Sequence, residues 1–388
     1  MPEAVIVATA RSPIGRAFKG SLKDYRIDDL AGLMIQRLLE KVPAVDPASV
    51  DDVIMGAANH VGEQGFNMAR NMAMLAGLPD TVPGTSVNRF CASSLQSIRV
   101  AFHAIKAGEG TTYVAGGAES VSRTSNKGFD LDDLNPRFLD KTRPDYINEM
   151  YIAMGMTAEN VADLYNVSRE RMDEFAELSQ NRAVDAQKNG FFEREIVPVE
   201  LADGTILDTD DCPRPGTTLE GLAQLKPAFK EGGKVTAGNA CPLNDGAAAV
   251  LVMDEGRATS LGLTPLARIK ASAVSGLAPE IMGVGPIVAV TKVLEQAGMS
   301  IGDIDVVELN EAFAAQVLPV CDETGISIEN QLNPHGGAIA LGHPFGQTGA
   351  RIMTTLINDL QTLDKTWGLE TMCVGGGQGM AMIIERLS

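Results

Sequence analysis

The two halves of the sequence repeat one succession of elements, and this repeat restricts the folds that the chain can adopt. In residues 28–60 an amphipathic segment, DDLAGLMIQRLLEKV, precedes a polar turn and a strand-like segment with branched apolar side chains, DDVIMGAAN. Residues 286–316 give the same order, with PIVAVTKVLEQAG before a turn and DIDVVELNEA. Helices that alternate with apolar strands are typical of α/β proteins. We therefore predict a duplicated α/β unit in which each half is a mixed sheet covered by helices.

A second unit follows each of these segments, and glycines gather at its strand ends. Residues 86–120 read as a turn, an apolar-faced helix, and a strand that contains Gly116 and Gly117. Residues 332–384 read as a glycine-rich turn, a helix, and a strand that meets a glycine triplet. Glycine lets a backbone approach a ligand closely, so the 40 glycines matter through their clustering rather than their number.

Charge and cysteine content exclude several classes of function. The chain has 32 Lys+Arg against 50 Asp+Glu, a formal net charge of −18, which argues against binding to nucleic acid or to anionic lipid. Its five cysteines form no CxxC pair and it has only four histidines, so we expect no disulfide framework and no metal site. No apolar run approaches the roughly 20 residues of a membrane helix. We expect a cytoplasmic protein, because free thiols persist in a reducing compartment.

The stretch 121–238 separates the two halves and differs from them in character. It opens with a polar, proline-punctuated segment and continues into paired amphipathic helices. An excursion of this length between strand units is more than a loop, and we interpret it as a cover over a ligand. The apolar run at 247–255 is predicted to return the chain to the first half.

Cys91 stands in NRFCASS, at the predicted start of a helix. Unpaired backbone N–H groups and the positive end of the helix dipole favour a thiolate there, and the thiolate is the nucleophilic form of cysteine. A buried structural cysteine is the alternative at this position.

Two further segments combine a reactive side chain with glycine. His343 lies in GGAIALGHP, where a hydrogen-bonded structural histidine is the alternative to a catalytic one. Cys373 precedes Gly375, Gly376 and Gly377, whose N–H groups are suited to an oxyanion hole or, alternatively, to a phosphate-binding nest. A thiol, a histidine and glycine-rich turns at equivalent strand ends together indicate acyl chemistry on a thioester.

These segments resemble the thiolase family, and the resemblance covers essentially the whole chain. NRFCASS resembles its nucleophile segment, Asn310 to Phe313 its NEAF motif, GGAIALGHPFGQTGAR its histidine segment and CVGGGQG its second-cysteine segment. TAGNACPLNDGAAAV resembles the segment that links the family's loop domain to its N-terminal half.

The resemblance implies a duplicated, five-layered α-β-α-β-α fold with an inserted loop domain. Residues 1–120 and 239–265 would form the N-terminal half, residues 121–238 the loop domain that covers coenzyme A, and residues 266–388 the C-terminal half.

The resemblance also implies a reaction: reversible acyl transfer between a 3-ketoacyl-CoA and acetyl-CoA by a ping-pong route. Cys91 would be acylated, His343 would be its base, and Cys373 would act as acid and base. His343 and a water held by Asn310 would form one oxyanion hole, and the N–H groups of Cys91 and Gly375 the other. The family uses coenzyme A as a substrate, so we expect no cofactor.

The resemblance also implies four substrate contacts: Arg214 at the coenzyme A nucleotide, Met154 at the acyl group, and Phe313 and Leu243 elsewhere along the bound substrate. The net charge of −18 makes local cations such as Arg214 and Lys226 important for a polyanionic ligand.

The sequence departs from the family pattern at three places. Ala153 stands where some acetoacetyl-CoA thiolases have histidine, which favours a roomier acyl pocket. Cys241-Pro242 replaces the usual Ser-Gly on the pantetheine side, and His335 replaces a frequent asparagine.

The leading prediction is an acetyl-CoA C-acyltransferase (3-ketoacyl-CoA thiolase) of fatty-acid β-oxidation. The first alternative is an acetyl-CoA C-acetyltransferase that forms acetoacetyl-CoA. A decarboxylating, ketosynthase-like enzyme is disfavoured by Cys373, and a non-catalytic scaffold by the intact set of Cys91, His343, Asn310 and Cys373. Reversible pairing of Cys91 with Cys373 is a further hypothesis. The resemblance implies a homodimer or homotetramer.

Overall fold

The structure, a computed structural model, describes residues 2–125 and 133–388 and contains two equivalent runs of strands and helices. The strands are β1 (Ala4–Arg11), β2 (Gly15–Arg16), β3 (Asp52–Gly56), β4 (Gly84–Val87), β5 (Thr112–Ser120), β6 (Val199–Glu200), β7 (Ile206–Leu207), β8 (Asn244–Asp254), β9 (Ala267–Gly276), β10 (Val306–Leu309), β11 (Trp367–Val374) and β12 (Gln378–Arg386). The helices are α1 (Ile27–Glu40), α2 (Met68–Leu75), α3 (Ser93–Ala107), α4 (Val121–Thr124), α5 (Met154–Leu164), α6 (Arg169–Lys188), α7 (Leu219–Ala223), α8 (Glu255–Ser260), α9 (Gly285–Ala297), α10 (Ala314–Thr324), α11 (Ala338–Leu341) and α12 (Thr348–Thr362). In the described part of the chain, none of these helices has the length and apolarity to span a membrane.

The strand order confirms the predicted duplication. The path runs β10-β11-β12-β9-β1-β8-β5-β3-β4 and mirrors itself about its centre. There β1 and β9 pair antiparallel for two residues, Val5 with Arg268 and Ile6 with Ala267, and join the two mixed sheets. The C-terminal counterpart of β4 is a single parallel bridge between Leu332 and Val307. Each half therefore lays out its strands in the same way, about one shared central seam.

Alternating side chains of the strands separate the fold into five layers. On β1, Val5 belongs to an apolar cluster with α1 and α2, whereas Ile6 belongs to one with α3 and α12. On β11, Met372 joins the same α3–α12 cluster, and Cys373 joins an outer cluster with α9 and α10. The layers are thus helix, sheet, helix, sheet, helix, and α3, the helix that follows Cys91, packs against α12 in the middle layer.

The chain between β5 and β8 is fastened to the first strand through a buried arginine. Arg11 donates from Nε to Glu195 at 2.7 Å and from both terminal nitrogens to Asp210 at 2.9 and 3.1 Å. All three side chains are buried, and each buried charge is compensated by the ion pairs between them. The chain then returns through β8, which pairs with β1 and β5. The predicted domain limits at residues 120, 238 and 265 stay predictions.

Candidate active site

Cys91 lies in the turn between β4 and α3, at the start of a helix as its sequence predicts. The turn Phe90–Ala92 is a single 3-10 turn that runs directly into α3. Asn88 Oδ1 accepts the N–H of Phe90 at 2.8 Å, and Ser93 Oγ accepts that of Arg89 at 2.9 Å. Phe90 has a φ of +44°, a left-handed conformation that bends the backbone sharply before the cysteine.

The Cys91 thiol is neutral in the resting structure. Burial raises its pKa well above the ordinary value, and the neighbouring thiols of Cys373 and Cys241 raise it further. The backbone N–H of Gly375 acts in the opposite direction and lowers the pKa of Cys91. Burial therefore outweighs the helix end, which we expected to favour a thiolate, and Cys91 needs a base.

His343 is a buried neutral imidazole whose hydrogen bonds fix its tautomer. Thr348 Oγ1 donates to the carbonyl of Pro344 at 2.7 Å, so it can only accept from Nδ1 of His343, which lies 2.6 Å away. Nε2 is then the unprotonated nitrogen, 3.3 Å from the Asn310 side-chain amide. Burial, and then the charge of Arg351, lower the pKa of His343 to about 3. The ring thus has a free lone pair and can accept a proton.

The backbone around His343 is held by Asn244, which the sequence did not single out. Asn244 Oδ1 accepts the His343 N–H at 2.9 Å, and its Nδ2 donates to the Gly15 carbonyl at 3.0 Å and to Cys212 Sγ at 3.2 Å. Gly342 has a φ of +107°, and a Cβ there would lie 2.6 Å from the Asn244 side chain. One amide thus joins the histidine loop to two distant segments, one of which contains Cys212.

Cys373 ends β11 with its sulfur against Gln316, another residue that the sequence did not single out. Gln316 lies in the first turn of α10, three residues after the NEAF segment, and its Nε2 donates to Cys373 Sγ at 2.7 Å. Burial raises the pKa of Cys373 to about 11, and the Gln316 hydrogen bond acts in the opposite direction. Cys373 is therefore a neutral thiol that can give up a proton to a strong base.

An open groove of about 300 Å³ borders the site at Cys241. It contains two of the predicted substrate contacts, Arg214 and Leu243, and two cations that the sequence analysis missed, Arg16 and Lys19. The remaining lining is largely apolar: Ala17, Phe18, Ala228, Phe229, Ala237, Ala240 and Pro242. The groove thus combines positive charge with an apolar wall, which suits a ligand with phosphates and an alkyl chain.

Phe313 and Met154 lie outside the lining of this groove. Phe313 is buried behind it and makes an edge contact with Phe229, with ring centroids 6.0 Å apart. Met154 begins α5 and packs against the outer C-terminal cluster. A different methionine, Met150, reaches the glycine triplet, where its sulfur would lie 3.4 Å from a Cβ at Gly376.

His335, which the sequence left without an explanation, has a structural environment. Its ring stacks on Phe191 at 3.6 Å, and its Nδ1 lies 2.5 Å from Asp359 Oδ1. Burial lowers the pKa of His335 to about 4, so the ring that shares this hydrogen bond with Asp359 is neutral. It fastens the segment after α6 to α12.

Comparison with known proteins identifies the family. Residues 4–256 match the model of the thiolase N-terminal domain, and residues 263–386 match that of the thiolase C-terminal domain. The chain belongs to the thiolase family. Thiolases are acyltransferases, and the predicted five-layered thiolase fold is confirmed by the match in structure described next.

Three relatives align with this thiolase over its full length. It is 46% identical over 394 residues to a 3-ketoacyl-CoA thiolase of Pseudoalteromonas translucida, covering 100% of both chains. It is also 46% identical over 402 residues to the 3-oxoadipyl-CoA/3-oxo-5,6-dehydrosuberyl-CoA thiolase of Escherichia coli, again over 100% of both. The crystal structure of the Bacillus anthracis acetyl-CoA acetyltransferase superposes with a TM-score of 0.91 at 40% identity, covering 100% of this chain and 99% of the other.

Proposed function

We propose that this thiolase cleaves 3-ketoacyl-CoA with coenzyme A, and forms it in the reverse direction, through an acyl group carried on Cys91. The main support is that the Cys91 turn of one half meets the glycine triplet of the other: a Cβ at Gly375 would lie 3.4 Å from the Phe90 ring, and the Gly375 N–H and the Cys373 thiol both shift the pKa of Cys91. The neutral thiol of Cys373 precedes that triplet on the same strand end. A nucleophile, an acid and an oxyanion donor are thus supplied together.

Each residue has a defined task in the proposed cleavage. His343 Nε2 takes the proton of Cys91, and the resulting thiolate attacks the 3-keto carbon. The oxygen on that carbon accepts hydrogen bonds from the N–H groups of Cys91 and Gly375. The C2–C3 bond then breaks, and Cys373 protonates the acetyl-CoA carbanion. His343 and a water on Asn310 stabilise the enolate oxygen of that acetyl-CoA. Coenzyme A finally gives its thiol proton to the Cys373 thiolate and attacks the acyl group on Cys91. The Cys91–acyl bond breaks, the Cys91 thiolate takes back its proton from His343, and a shortened acyl-CoA is released.

Coenzyme A is a substrate in this proposal, and the chemistry requires no resident cofactor, since thiols and an imidazole make every proton transfer. The groove lined by Arg16, Lys19 and Arg214 lies next to Cys241 and would bind the phosphates of coenzyme A, with the pantetheine arm along its apolar side. Phe313 and Met154, behind the groove, would support the bound acyl thioester rather than the nucleotide.

Removing positive charge from the groove is expected to weaken coenzyme A binding without slowing the chemistry. Arg214→Ala and Arg16→Ala should each raise KM for coenzyme A roughly fivefold or more, as loss of about 1 kcal/mol of a charged contact predicts. Steady-state kinetics at low and high salt measure this, and the difference should shrink at high salt. Arg37→Ala on the exposed face of α1 is the matched control, and an Arg214→Ala enzyme that behaves like this control would contradict the assignment.

The proposed pathway is fatty-acid β-oxidation, and the relatives support more than one substrate range. The Pseudoalteromonas relative is named for 3-ketoacyl-CoA, and the Escherichia coli relative for a dicarboxylic 3-ketoacyl-CoA. The structural relative is named for acetyl-CoA acetyl transfer. Because the first two are equally similar to this chain, cleavage of 3-oxoadipyl-CoA is the second candidate activity.

A substrate series tests the proposal and separates the candidates. Purified protein is given free coenzyme A with acetoacetyl-CoA, with straight-chain 3-ketoacyl-CoA of increasing length, or with 3-oxoadipyl-CoA, and the products are separated by chromatography. We expect the highest kcat/KM with a straight-chain substrate longer than acetoacetyl-CoA. A preference for 3-oxoadipyl-CoA would favour the second candidate, and no cleavage of any substrate would exclude thiolysis.

Two expectations about assembly and location complete the proposal. We expect a homodimer or homotetramer in solution, which light scattering measures, and a cytoplasmic enzyme. The five free thiols support a reducing compartment.

A further inference from the structure

Glu119 is a buried carboxylate that the proposed reaction does not use. It lies near the end of β5 and is 1% exposed. Its Oε2 accepts the backbone N–H groups of Ala58 at 2.7 Å and of Gly346 at 2.9 Å. Its Oε1 accepts the N–H of Asn59 at 3.2 Å and the side-chain amide of Gln64 at 2.7 Å. Three of these donors belong to the N-terminal half, and the fourth belongs to the loop that carries the proposed base. One carboxylate therefore spans the two halves.

The backbone at this point is packed too closely for any side chain. A Cβ at Gly346 would lie 2.4 Å from the carbonyl oxygen of Ala118, and one at Gly117 would lie 2.1 Å from that of Gly346. A few residues further on, the N–H of Ala350 donates to Ser94 Oγ in the nucleophile's helix at 2.9 Å. The histidine loop thus rests directly on the strand ends and the helix of the other half.

We propose that Glu119 is a positioning residue for the base: its ionised carboxylate holds the His343 loop against the half that carries Cys91, and its protonation loosens this contact. This inference rests on the roles proposed above for Cys91 and His343. An ionised carboxylate can accept all four hydrogen bonds, whereas a protonated one must point its own O–H at one of four donors and so loses at least one of them. Because a base displaced by about 1 Å can cost on the order of a hundredfold in rate, a small shift of this loop is sufficient.

The position of Glu119 also couples the site to pH. Burial raises the pKa of Glu119 to about 7, with its four hydrogen bonds acting in the opposite direction. The pKa of His343 is lowered to about 3 and that of Cys91 is raised well above its ordinary value, so neither of these groups titrates near neutrality. The proposed contact is therefore present above pH 7 and lost below it. Other titratable or charged groups on the elements that pack here include His60, Glu63, Arg123, Asp245, Asp52 on β3 and Arg351 on α12.

Alkylation of Cys91 tests the proposal without requiring turnover. The rate of its reaction with iodoacetamide, followed on the Cys91 peptide by mass spectrometry, is measured across neutral pH for the wild type, for Glu119→Gln and for His60→Gln. Glutamine has the size of the protonated acid but cannot ionise. The ratio of wild-type to Glu119→Gln rates should be near one below pH 7 and should rise to on the order of tenfold above it. His60→Gln should follow the wild type, and kcat for thiolysis should show the same step.

Two results would overturn the role of Glu119: a rate ratio that does not change with pH, or a step that disappears in His60→Gln but remains in Glu119→Gln. Should Glu119→Gln fail to fold, Glu119→Asp provides the second variant, because it keeps an ionisable carboxylate and should keep the step at a lower plateau. A flat profile in Glu119→Asp would equally reject the proposal. Absence of thiolysis with every substrate would reject the proposed function but would leave the alkylation result interpretable.

Discussion

Cys91→Ala is expected to abolish acyl transfer, with kcat for thiolysis reduced by at least about a thousandfold, because the variant has lost the atom to which the acyl group is attached. The wild-type protein incubated with acetyl-CoA should gain the mass of one acetyl group, and Cys91→Ala should gain none. Intact-protein mass spectrometry measures this directly. The effect should be on the chemistry alone, since the turn around Cys91 is held by Asn88 and Ser93 rather than by the thiol.

Two other cysteines provide the controls for this result. Cys321 is buried in α10 outside the active site, so Cys321→Ala should acetylate like the wild type. Cys241 lines the groove next to the site, and its thiol influences the pKa of Cys91, which makes it the strongest competitor for the acyl group. Acetyl label on Cys241 in the Cys91→Ala protein, located by peptide mapping, would show that the nucleophile is wrongly assigned.

The sequence predicted those parts of the fold that depend on local pattern. The repeated helix and strand segments became α1 with β3 and α9 with β10, and the duplication is present in the strand order. The two-residue pairing of β1 with β9 that joins the sheets could not be predicted, because strand order depends on contacts between segments far apart in the chain. The same reason explains Arg16, which enters the groove from β2, a strand distant from Arg214 in sequence.

In the candidate site, too, the sequence predicted some residues and not others. Cys91, His343 and Cys373 stand in recognisable motifs, but the residues that hold them, Thr348 and Gln316, could be identified only from their contacts. The protonation state of Cys91 could not be predicted from the sequence either. A helix start predicts a thiolate, whereas the burial produced by five layers raises the pKa of Cys91, and only the complete fold determines how large that burial is.

The resting protonation states fit a site that buries little net charge before substrate arrives. Cys91 and Cys373 are neutral thiols and His343 is a neutral imidazole, because burial raises the pKa of the first two and lowers that of the third. Negative charge would then develop only during the reaction, on substrate oxygens that can accept hydrogen bonds from the N–H groups of the glycine triplet. Such groups stabilise a transition state more than a ground state, which is the requirement for catalysis.

Cys373→Ala is expected to separate the two half-reactions. Transfer of an acetyl group from acetyl-CoA to Cys91 exchanges one thioester for another and involves no carbanion, so the variant should still gain the mass of one acetyl group. Thiolysis and condensation each need a proton moved at the α-carbon of acetyl-CoA, and both should fall by roughly a hundredfold to ten-thousandfold, the range that a positioned acid or base contributes.

The measurements for Cys373→Ala are the acetyl mass gain and the rate of thiolysis on one preparation. A cooperative thermal unfolding transition establishes that the variant is folded, since removal of the buried thiol also leaves the Gln316 amide without its partner. Cys321→Ala is again the matched control and should keep both activities. Full thiolysis in Cys373→Ala would exclude this thiol as the acid. Loss of acetylation in a folded Cys373→Ala protein would instead mean that Cys373 acts on the Cys91 thiol itself, and the two roles proposed for the cysteines could then no longer be kept apart.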